Sequence, residues 1–377
     1  MLKRAVCFLL MLSLFLSTSA QAKDINSLVS PSAILLDGYS GKVLFEKDPD
    51  QKLPPASVTK IMTMLLVMEA IDRGEISFDD IVTVSENAAK KEGSHIFLAP
   101  NEQMSVHDLM KGVAVASGND ASIALGEYLA GSHEKFVEKM NLRAKELGMT
   151  NTHFVNCNGL DADGHLTTAR DIGTMTVELL KYSEIFEFTT IWTDSLRNGT
   201  FDLANTNKLI RFYEGANGMK TGSTSKAGCC ISATALRDGM QLVAVIMGAP
   251  TSQERFSDAS TLLNYGFGGY ENSFLGKSDN VYKYVTVNKG VKETVGVKLK
   301  NDFSVVLPKG KSKEVTMQEN IEETVQSPIK QGQKVGDITF YLGDEKLGSV
   351  DLVAVGDVGK IGFLYAFAKL MHNFISL

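Results

Sequence analysis

An apolar run of eleven residues, Ile61–Ile71, constrains the fold more than any other feature of the sequence. Pro54 and Pro55 stand before the run and Gly74 follows it, which is the usual placement of proline at the start of a helix and of glycine past its end. We therefore predict a helix over Ser57–Arg73. Because the run is apolar on nearly every side, this helix should lie within a core, and it is too short and too interrupted to span a membrane.

Strand patterns lie on both sides of the helical part of the chain. The predicted strands are Ser32–Leu36, Lys42–Glu46, Cys229–Leu236 and Gln241–Met247. Further helices are predicted over Val106–Ala116, Ala121–Ala130, Glu134–Leu147, Thr168–Tyr182 and Ser252–Phe267. This order predicts an α/β fold of the α+β sandwich type, in which an antiparallel sheet is covered by helices.

A second, small all-β domain is predicted after Gly266–Gly269, where the sequence pattern changes. Short β-rich runs separated by turns fill Val281–Val355, and they contain no catalytic constellation. We therefore divide the chain into a leader at 1–22, a main domain at 23–270, a β-rich domain at 271–357 and a terminal helix at 358–377.

The leader has the pattern of a signal peptide. Lys3 and Arg4 precede an apolar stretch, Ala5–Leu16, and Ala20-Gln21-Ala22 supplies the small residues for cleavage after position 22. An uncleaved membrane anchor is the alternative, but the stretch is short for a span. The protein is therefore predicted to be exported.

The terminal segment, 361–377, predicts an amphipathic helix. Lys369 and His372 fall on a polar face, while Phe367 and Met371 fall on an apolar one. Its place at the end of the chain and its phenylalanines favour a helix that lies in the membrane surface. A helix docked on the protein and a membrane span are the alternatives.

Composition and charge exclude several classes of function. The 38 basic and 44 acidic side chains give a net charge of −6, so there is no basic footprint for nucleic acid. The six histidines show no spacing typical of metal ligands, and neither a metal nor another cofactor is predicted. Three cysteines lie after the leader, at Cys157, Cys229 and Cys230. Because an odd number gives no complete disulfide framework, we interpret them as small buried thiols. The sequence leaves the oligomeric state open.

A serine and a lysine at helical spacing are the first candidates for chemistry. Ser57 and Lys60 are three residues apart, so the predicted helix places them on one face. A serine becomes a nucleophile when a neighbouring base takes its proton, and a lysine can do so if burial or another cation lowers its pKa from about 10.4. The S-x-x-K pattern also occurs at Ser132, Ser223 and Ser327, so alone it is weak evidence.

Two further motifs strengthen this candidate. Ser117-Gly118-Asn119 falls in a loop between two predicted helices, and Lys220-Thr221-Gly222 falls shortly before the predicted strand pair. The order S-x-x-K, S-x-N, K-T-G is the motif set of β-lactamases and penicillin-binding proteins. Two other S-x-N triplets, at Ser85 and Ser278, lack this context or order.

On these residues the chain resembles the serine-type D-alanyl-D-alanine carboxypeptidases, which are low-molecular-mass penicillin-binding proteins. The hairpin at Ser32–Leu44 and a middle loop, Thr152–Asp171, also resemble this family, and the likeness extends to about Gly268. It implies that 23–270 is a catalytic domain that removes the terminal D-alanine from peptidoglycan stem pentapeptides and is acylated by β-lactams. It also implies a peripheral place on the outer face of the cytoplasmic membrane, with the terminal helix on the membrane surface.

The resemblance implies a role for each motif residue. Ser57 would form the acyl-enzyme, Lys60 would be the general base, and Ser117 would relay a proton to the leaving amine. The implied substrate-binding residues are Asn119, Lys220, Thr221, Gly222, Ser223 and Thr224. Among these, Asn119 would bind the substrate amide, Thr221 with Ser223 or Thr224 would hold the terminal carboxylate, and the charge of Lys220 would lower the pKa of Lys60. The N–H groups of Ser57 and Ser223 would form the oxyanion hole.

Related enzymes remain as alternatives. A class A β-lactamase would need a Glu general base in the middle loop, and Met149–Thr176 contains Asp161 but no Glu. A transpeptidase or endopeptidase on the same stem peptide stays open, as does a β-lactam sensor that is acylated without turnover. We expect His165 and Asp161 to stabilise the middle loop, with a place in the cleft as the alternative.

Overall fold

The computed structural model describes residues 24–363 and residue 367. These residues form two compact units, one made of 24–237 with 241–268 and the other of 238–240 with the chain from 269 onward. The predicted signal peptide at 1–22 and most of the predicted terminal helix lie outside the described residues. Among the helices of the described residues, none is long and apolar enough to cross a bilayer.

The first unit mixes strands and helices, as predicted. In chain order its elements are β1 (Ser32–Asp37), β2 (Val43–Lys47), α1 (Lys60–Asp72), β3 (Ile81–Thr83), α2 (Glu86–Ala89), β4 (Gln103–Ser105), α3 (Val106–Ala114), α4 (Asn119–Ala130), α5 (His133–Glu146), α6 (Ala169–Leu179), α7 (Phe186–Thr189), β5 (Thr193–Leu196), β6 (Phe201–Ala204), α8 (Leu209–Phe212), β7 (Ala216–Thr224), β8 (Gly228–Arg237), β9 (Met240–Ala249) and α9 (Ser252–Gly269). Short 3-10 turns precede α1 at Ala56–Thr59 and α7 at Ser183–Ile185.

A five-stranded sheet organises this unit, in the order β2-β1-β9-β8-β7. The pairs β1/β2, β1/β9 and β7/β8 are antiparallel. The strand that carries K-T-G, β7, is therefore an edge strand, with β8 as its only neighbour in this sheet. An edge strand keeps one row of backbone groups free of the sheet, which suits a place beside a substrate cleft.

Helix α1 is buried as its sequence predicts. Every residue from Lys60 to Ala70 is buried, and the helix joins one hydrophobic cluster with Ile34 and Val245 of the sheet and Leu109 of α3. An all-round apolar surface is stable only with packing on all sides, which explains the central place of α1. The burial includes Lys60, a charged residue type in an apolar core.

The structure differs from the sequence prediction in several respects within this unit. The K-T-G motif, predicted to precede the strand pair, lies on a nine-residue strand of its own, β7, that was not predicted. Asn119 is the first residue of α4, with Gly118 as its N-cap, and does not belong to the preceding loop. Two short antiparallel strand pairs, β3/β4 and the hairpin β5/β6, were not predicted. Their strands are only three or four residues long, which is too short for an alternating pattern to be recognised.

Between Tyr270 and Ala354 the second unit is all-β apart from a 3-10 turn at Ser312–Glu314. Its strands are β10 (Tyr270–Gly276), β11 (Lys283–Asn288), β12 (Thr294–Leu299), β13 (Phe303–Pro308), β14 (Val315–Ile321), β15 (Thr324–Gln326), β16 (Lys334–Leu342) and β17 (Glu345–Ala354). Six of them form a sheet in the order β14-β16-β17-β12-β11-β15, and β10 pairs with β13. The predicted small β domain is confirmed.

Candidate active site

Ser57 and Lys60 lie where the 3-10 turn Ala56–Thr59 runs into α1. The side chain of Lys60 reaches back by one turn, and its Nζ is 2.9 Å from Ser57 Oγ. The residue before the serine, Ala56, has a backbone φ of +50°. This angle lies in the left-handed region, which is energetically unfavourable for residues other than glycine. Strain of this kind persists where the surrounding structure holds it, and it concentrates at functional sites.

Two carbonyl oxygens complete the surroundings of the Lys60 amine. Nζ donates to Asn119 Oδ1 over 2.7 Å and to the backbone oxygen of Asn158 over 2.6 Å. A neutral amine has two N–H groups and one lone pair. Since both oxygens are acceptors only, they take the two N–H groups, and the lone pair is then directed at the hydroxyl of Ser57. The three contacts thus fit an amine that accepts the serine proton.

Burial sets the protonation of Lys60. Complete burial lowers the pKa of its amine to about 7, against a smaller opposite effect from Cys157 and Asp120. Lys220 is also buried, and its pKa falls well below the usual lysine value because of burial first, and then because of the nearby positive charges of Lys60 and Arg255. Desolvation is therefore the main cause of the lowered Lys60 pKa. The sequence resemblance had implied a different cause, the positive charge of Lys220.

The S-x-N segment is fixed by backbone contacts. The side chain of Asn119 donates through Nδ2 to Glu92 O over 2.6 Å, and the backbone N–H of Asn119 donates to Ser94 O over 2.7 Å. These contacts orient the amide so that Oδ1 points to Lys60. Ser117 is buried with a φ of +62°, and within the described part of the chain its hydroxyl makes no hydrogen bond to Ser57 or to either lysine.

The K-T-G strand packs directly on the serine turn. A Cβ on Gly222 would lie 2.6 Å from Ser57 N and 2.9 Å from Val58 N, so only glycine permits this approach. Gly159 of the middle loop approaches from another direction, since a Cβ there would lie 1.9 Å from Ala56 O. The turn that carries Ser57 is therefore enclosed by two backbone segments with no side chain between.

The hydroxyls around K-T-G are not equally available. Thr224 Oγ1 donates to Asp161 Oδ1 over 2.7 Å and accepts from Ala227 N over 3.0 Å. Ser223 is exposed, whereas Thr221 is buried and donates to Thr206 Oγ1 over 2.7 Å. Of the predicted carboxylate-binding hydroxyls, Ser223 is thus the accessible one and Thr224 is already engaged.

The structure adds residues that the sequence motifs did not identify. Arg255 of α9 donates from Nη1 to Gly222 O over 3.0 Å and to Cys230 O over 3.3 Å, which fixes the K-T-G strand from behind. The carboxylate of Asp120 accepts from the N–H groups of Ile96 and Leu98. Asp120 stands directly after S-x-N in the sequence, which is a usable signal, whereas Arg255 has no motif that could have indicated it.

His165 and Asp161, the secondary candidates, make contacts that support the structure of the middle loop. His165 is buried, its Nε2 is 2.9 Å from Thr59 Oγ1, and its Nδ1 accepts from Val155 N. Burial lowers the pKa of His165 to about 4, so the ring is neutral at ordinary pH. Asp161 joins the middle loop to Thr224. These contacts stabilise the middle loop, as expected.

The cysteines also have surroundings that explain their chemistry. Cys157 and Cys230 are buried free thiols whose pKa burial raises to about 11, and Cys229 is half-buried. Buried thiols with a raised pKa are poor nucleophiles. Within the described residues no cluster of His, Cys, Asp or Glu could hold a metal ion.

A helical layer on an antiparallel sheet, with a serine hydroxyl in contact with a buried lysine, defines the class of serine enzymes that work through an acyl-enzyme. Sequence models of two families match the chain. The one described as D-alanyl-D-alanine carboxypeptidase covers residues 17–251, and the one described as penicillin-binding protein 5, C-terminal domain, covers residues 270–360. The chain belongs to the D-alanyl-D-alanine carboxypeptidase family and is a serine-type hydrolase with that activity.

Individual relatives agree with this assignment. The D-alanyl-D-alanine carboxypeptidase DacF of Bacillus subtilis is 42% identical over 350 residues, which cover 91% of this chain and 89% of the relative. The enzyme DacC of Escherichia coli is 37% identical over 354 residues, with 91% and 88% covered. Both predictions from the sequence, the family and the carboxypeptidase activity, are confirmed.

Solved structures agree in fold as well. Penicillin-binding protein 5 of Haemophilus influenzae has a TM-score of 0.75 at 32% identity, with 88% of this chain and 98% of that chain covered. Penicillin-binding protein D2 of Listeria monocytogenes, in its ampicillin-bound form, has a TM-score of 0.59 at 33% identity, with 64% and 98% covered. The first of these spans both units of the present chain.

Proposed function

We propose that this chain removes the terminal D-alanine from peptidoglycan stem pentapeptides through an acyl-enzyme on Ser57. The observation that carries the proposal is the 2.9 Å contact between Ser57 Oγ and the buried amine of Lys60. An amine with a pKa of about 7 is neutral in a large fraction of molecules at ordinary pH.

The acylation step follows from these contacts. Neutral Lys60 takes the proton of Ser57 Oγ as the oxygen attacks the carbonyl carbon between the two D-alanines. The negative charge that develops on the carbonyl oxygen is stabilised by the N–H groups of Ser57 and Ser223. Support for this pair comes from Gly222, which brings the two backbones together.

The leaving group and the second half-reaction complete the cycle. The C–N bond breaks, and the proton that Lys60 took from Ser57 passes by way of Ser117 to the D-alanine amine, which leaves an ester on Ser57 and a neutral Lys60. Water then attacks the ester carbonyl and gives its proton to Lys60, and Lys60 passes that proton to Ser57 Oγ as the ester bond breaks. Ser117 makes its contact with the lysines when substrate is bound, because catalytic hydrogen bonds often form only in that complex.

Substrate binding uses the remaining motif residues. Asn119 binds the substrate amide, and Ser223 donates to the terminal carboxylate. Thr221, whose hydroxyl proton is engaged with Thr206, lines the same subsite. The arriving carboxylate favours the protonated form of Lys220, which then supplies positive charge beside it. Gly222 admits the substrate backbone beside β7, and Thr224 supports this edge through its bond to Asp161. β-Lactams acylate the same serine, in line with the ampicillin-bound form of the Listeria protein.

The place of the enzyme is part of the proposal. Residues 1–22 direct export, 23–270 form the catalytic domain, 271–357 the β-rich domain, and 358–377 hold the protein peripherally on the outer face of the cytoplasmic membrane. Phe363 and Phe367 support a membrane contact, since their side chains are 84% and 58% exposed and their rings are 6.5 Å apart.

Mass spectrometry of a penicillin adduct tests the nucleophile. Penicillin should add to one peptide, at Ser57, and Ser57→Ala should abolish both the adduct and the release of D-alanine. A matched control is Ser327→Ala, which removes the serine of another S-x-x-K pattern and should leave both readouts unchanged. An adduct that persists in Ser57→Ala would show that the nucleophile is wrong, and a single burst of D-alanine without turnover would indicate a sensor.

A further inference from the structure

Thr206 lies beside the proposed carboxylate-binding residues, although no motif identified it. Thr221 Oγ1 donates a hydrogen bond to Thr206 Oγ1 over 2.7 Å. Thr221 is only 4% exposed, whereas Thr206 is an exposed residue. Of the two linked residues, Thr206 is therefore the more accessible to a ligand from solvent.

Two buried asparagines hold Thr206 in place. Asn205 Nδ2 donates to Ile191 O over 2.7 Å, and Asn207 Nδ2 donates to Gly218 O over 2.9 Å, on the strand that carries K-T-G. Asn205 Oδ1 also accepts from Asn207 N over 2.8 Å. The backbone on both sides of Thr206 is thus fixed, and its hydroxyl is held in position before any ligand binds.

Thr206 also contacts the segment that leads to S-x-N. Its backbone N–H donates to Val115 O over 3.2 Å, two residues before Ser117. One exposed residue therefore contacts the K-T-G strand through Thr221 and the approach to S-x-N through Val115. This is the position expected of a residue that lines the cleft between the two motifs.

The number of hydroxyl protons decides which ligand this pair can bind. Thr221 has one hydroxyl proton and uses it on Thr206, and a carboxylate accepts hydrogen bonds without donating any. In the part of the chain that the structure describes, no acceptor contacts the hydroxyl proton of Thr206, so that proton is available to a ligand. A carboxylate that accepts it also polarises the bond from Thr221, because linked hydrogen bonds strengthen one another.

We propose that Thr206 is a specificity-determining residue that donates its hydroxyl hydrogen bond to the free C-terminal carboxylate of the peptide substrate, while Thr221 holds it in position. The inference rests on the proposed function, because it assigns a further residue to the same site. A C-terminal amide carries no charge and accepts a weaker hydrogen bond, so Thr206 favours peptides that end in a free carboxylate.

The test separates the hydroxyl from the shape of the side chain. Thr206→Val and Thr206→Ala remove the hydroxyl, and Thr206→Ser keeps it. For release of D-alanine from an acylated tripeptide that ends in D-Ala-D-Ala, the first two should raise KM about tenfold, as for loss of a hydrogen bond to a charged group, with kcat within about twofold. Thr206→Ser should restore KM. The same peptide with a C-terminal amide should inhibit the wild-type protein and all three Thr206 variants with the same inhibition constant.

A matched control uses another threonine. The hydroxyl of Thr174 donates to Arg170 O within its own helix, so Thr174→Val should leave KM unchanged. The inference is overturned if Thr206→Val and Thr206→Ala keep the normal KM, if they lower kcat alone, or if they weaken binding of the amide equally. Failure of the proposed function has a different signature, since wild-type protein would then release no D-alanine.

Discussion

At the scale of single residues, the site depends on a lysine in an environment that disfavours its charge. Lys60 is fully buried, yet its amine contacts three polar groups that suit its neutral form. These groups belong to Asn119, Asn158 and Ser57. A buried group with unsatisfied donors would destabilise the core, whereas this arrangement keeps the proposed base both buried and hydrogen-bonded. The same burial that costs stability provides the basic form of the amine at ordinary pH.

The pH dependence of acylation follows from this burial. Lys60 accepts a proton only when neutral, and its pKa in the free protein is about 7, so the second-order rate constant of acylation should rise as pH increases from 6 to 8 and level off above. The measurement is penicillin acylation across this range, with thermal unfolding as the control for stability. A midpoint near the usual lysine pKa, or a flat profile from pH 6 to 9, would contradict the assignment.

The residues of the site divide into predictable and unpredictable ones. The contact between Ser57 and Lys60 follows from helical spacing alone, so the sequence predicts it. The contact of Lys60 with Asn119 joins residues 59 positions apart, and only the motif set of a known family brought them together. Thr206 and Arg255 had no such signal, because their roles arise from tertiary packing.

At the scale of elements, backbone segments without side chains form the walls of the site. Gly222 of β7 and Gly159 of the middle loop both approach the turn Ala56–Thr59 more closely than any Cβ allows. Arg255 holds β7 from the other side through the carbonyl oxygen of Gly222. The position of Ser57 is therefore set by how closely three separate segments pack, and a change in any of them moves this proposed nucleophile.

Gly222→Ala should separate activity from folding. The added Cβ would lie 2.6 Å from Ser57 N, so the strand or the turn must shift, and a displacement of this kind near reacting groups lowers the rate about 100-fold. D-alanine release and the thermal midpoint are the measurements. Gly268→Ala is the matched control, since its Cβ meets no atom within 4 Å. Full activity in Gly222→Ala would contradict the packing argument.

The long helices were predicted well, whereas the short elements and the nine-residue strand β7 were not. The prediction for α1 included its buried position, because an apolar run between proline and glycine has few other solutions. The hairpin β5/β6 has strands of four residues, half of them exposed, so neither hydrophobic alternation nor length marks these strands. The start of α4 at Asn119 was missed because its N-cap is glycine and not a side chain that signals a cap.

At the scale of the whole molecule, all the proposed chemistry lies in the first unit. The second unit has its own hydrophobic clusters, one around Val297 and another around Phe340 and Leu352, so its stability does not depend on the catalytic residues. The sequence predicted this division from a change in pattern near Gly266–Gly269. It could not predict the strand order, which depends on pairings between distant segments.

Removal of residues 361–377 tests the proposed membrane contact. The truncated protein should move from the membrane fraction to the soluble fraction, because an amphipathic helix with exposed phenylalanines supplies the apolar area for surface binding. Fractionation of the full-length and truncated proteins is the measurement, with D-alanine release from a soluble peptide as the control for folding. An unchanged distribution would favour a helix docked on the protein.

The contact between Gly222 and the serine turn has a consequence for the newly made chain. Ser57 and Gly222 are far apart in sequence, and before they meet Lys60 is an ordinary solvated ammonium that cannot take a proton from the serine. We therefore expect a chain that has not yet folded to be inert to penicillin. A fluorescent penicillin should mark only molecules that have finished folding, so that antibiotic labelling would measure how fast the newly made protein matures.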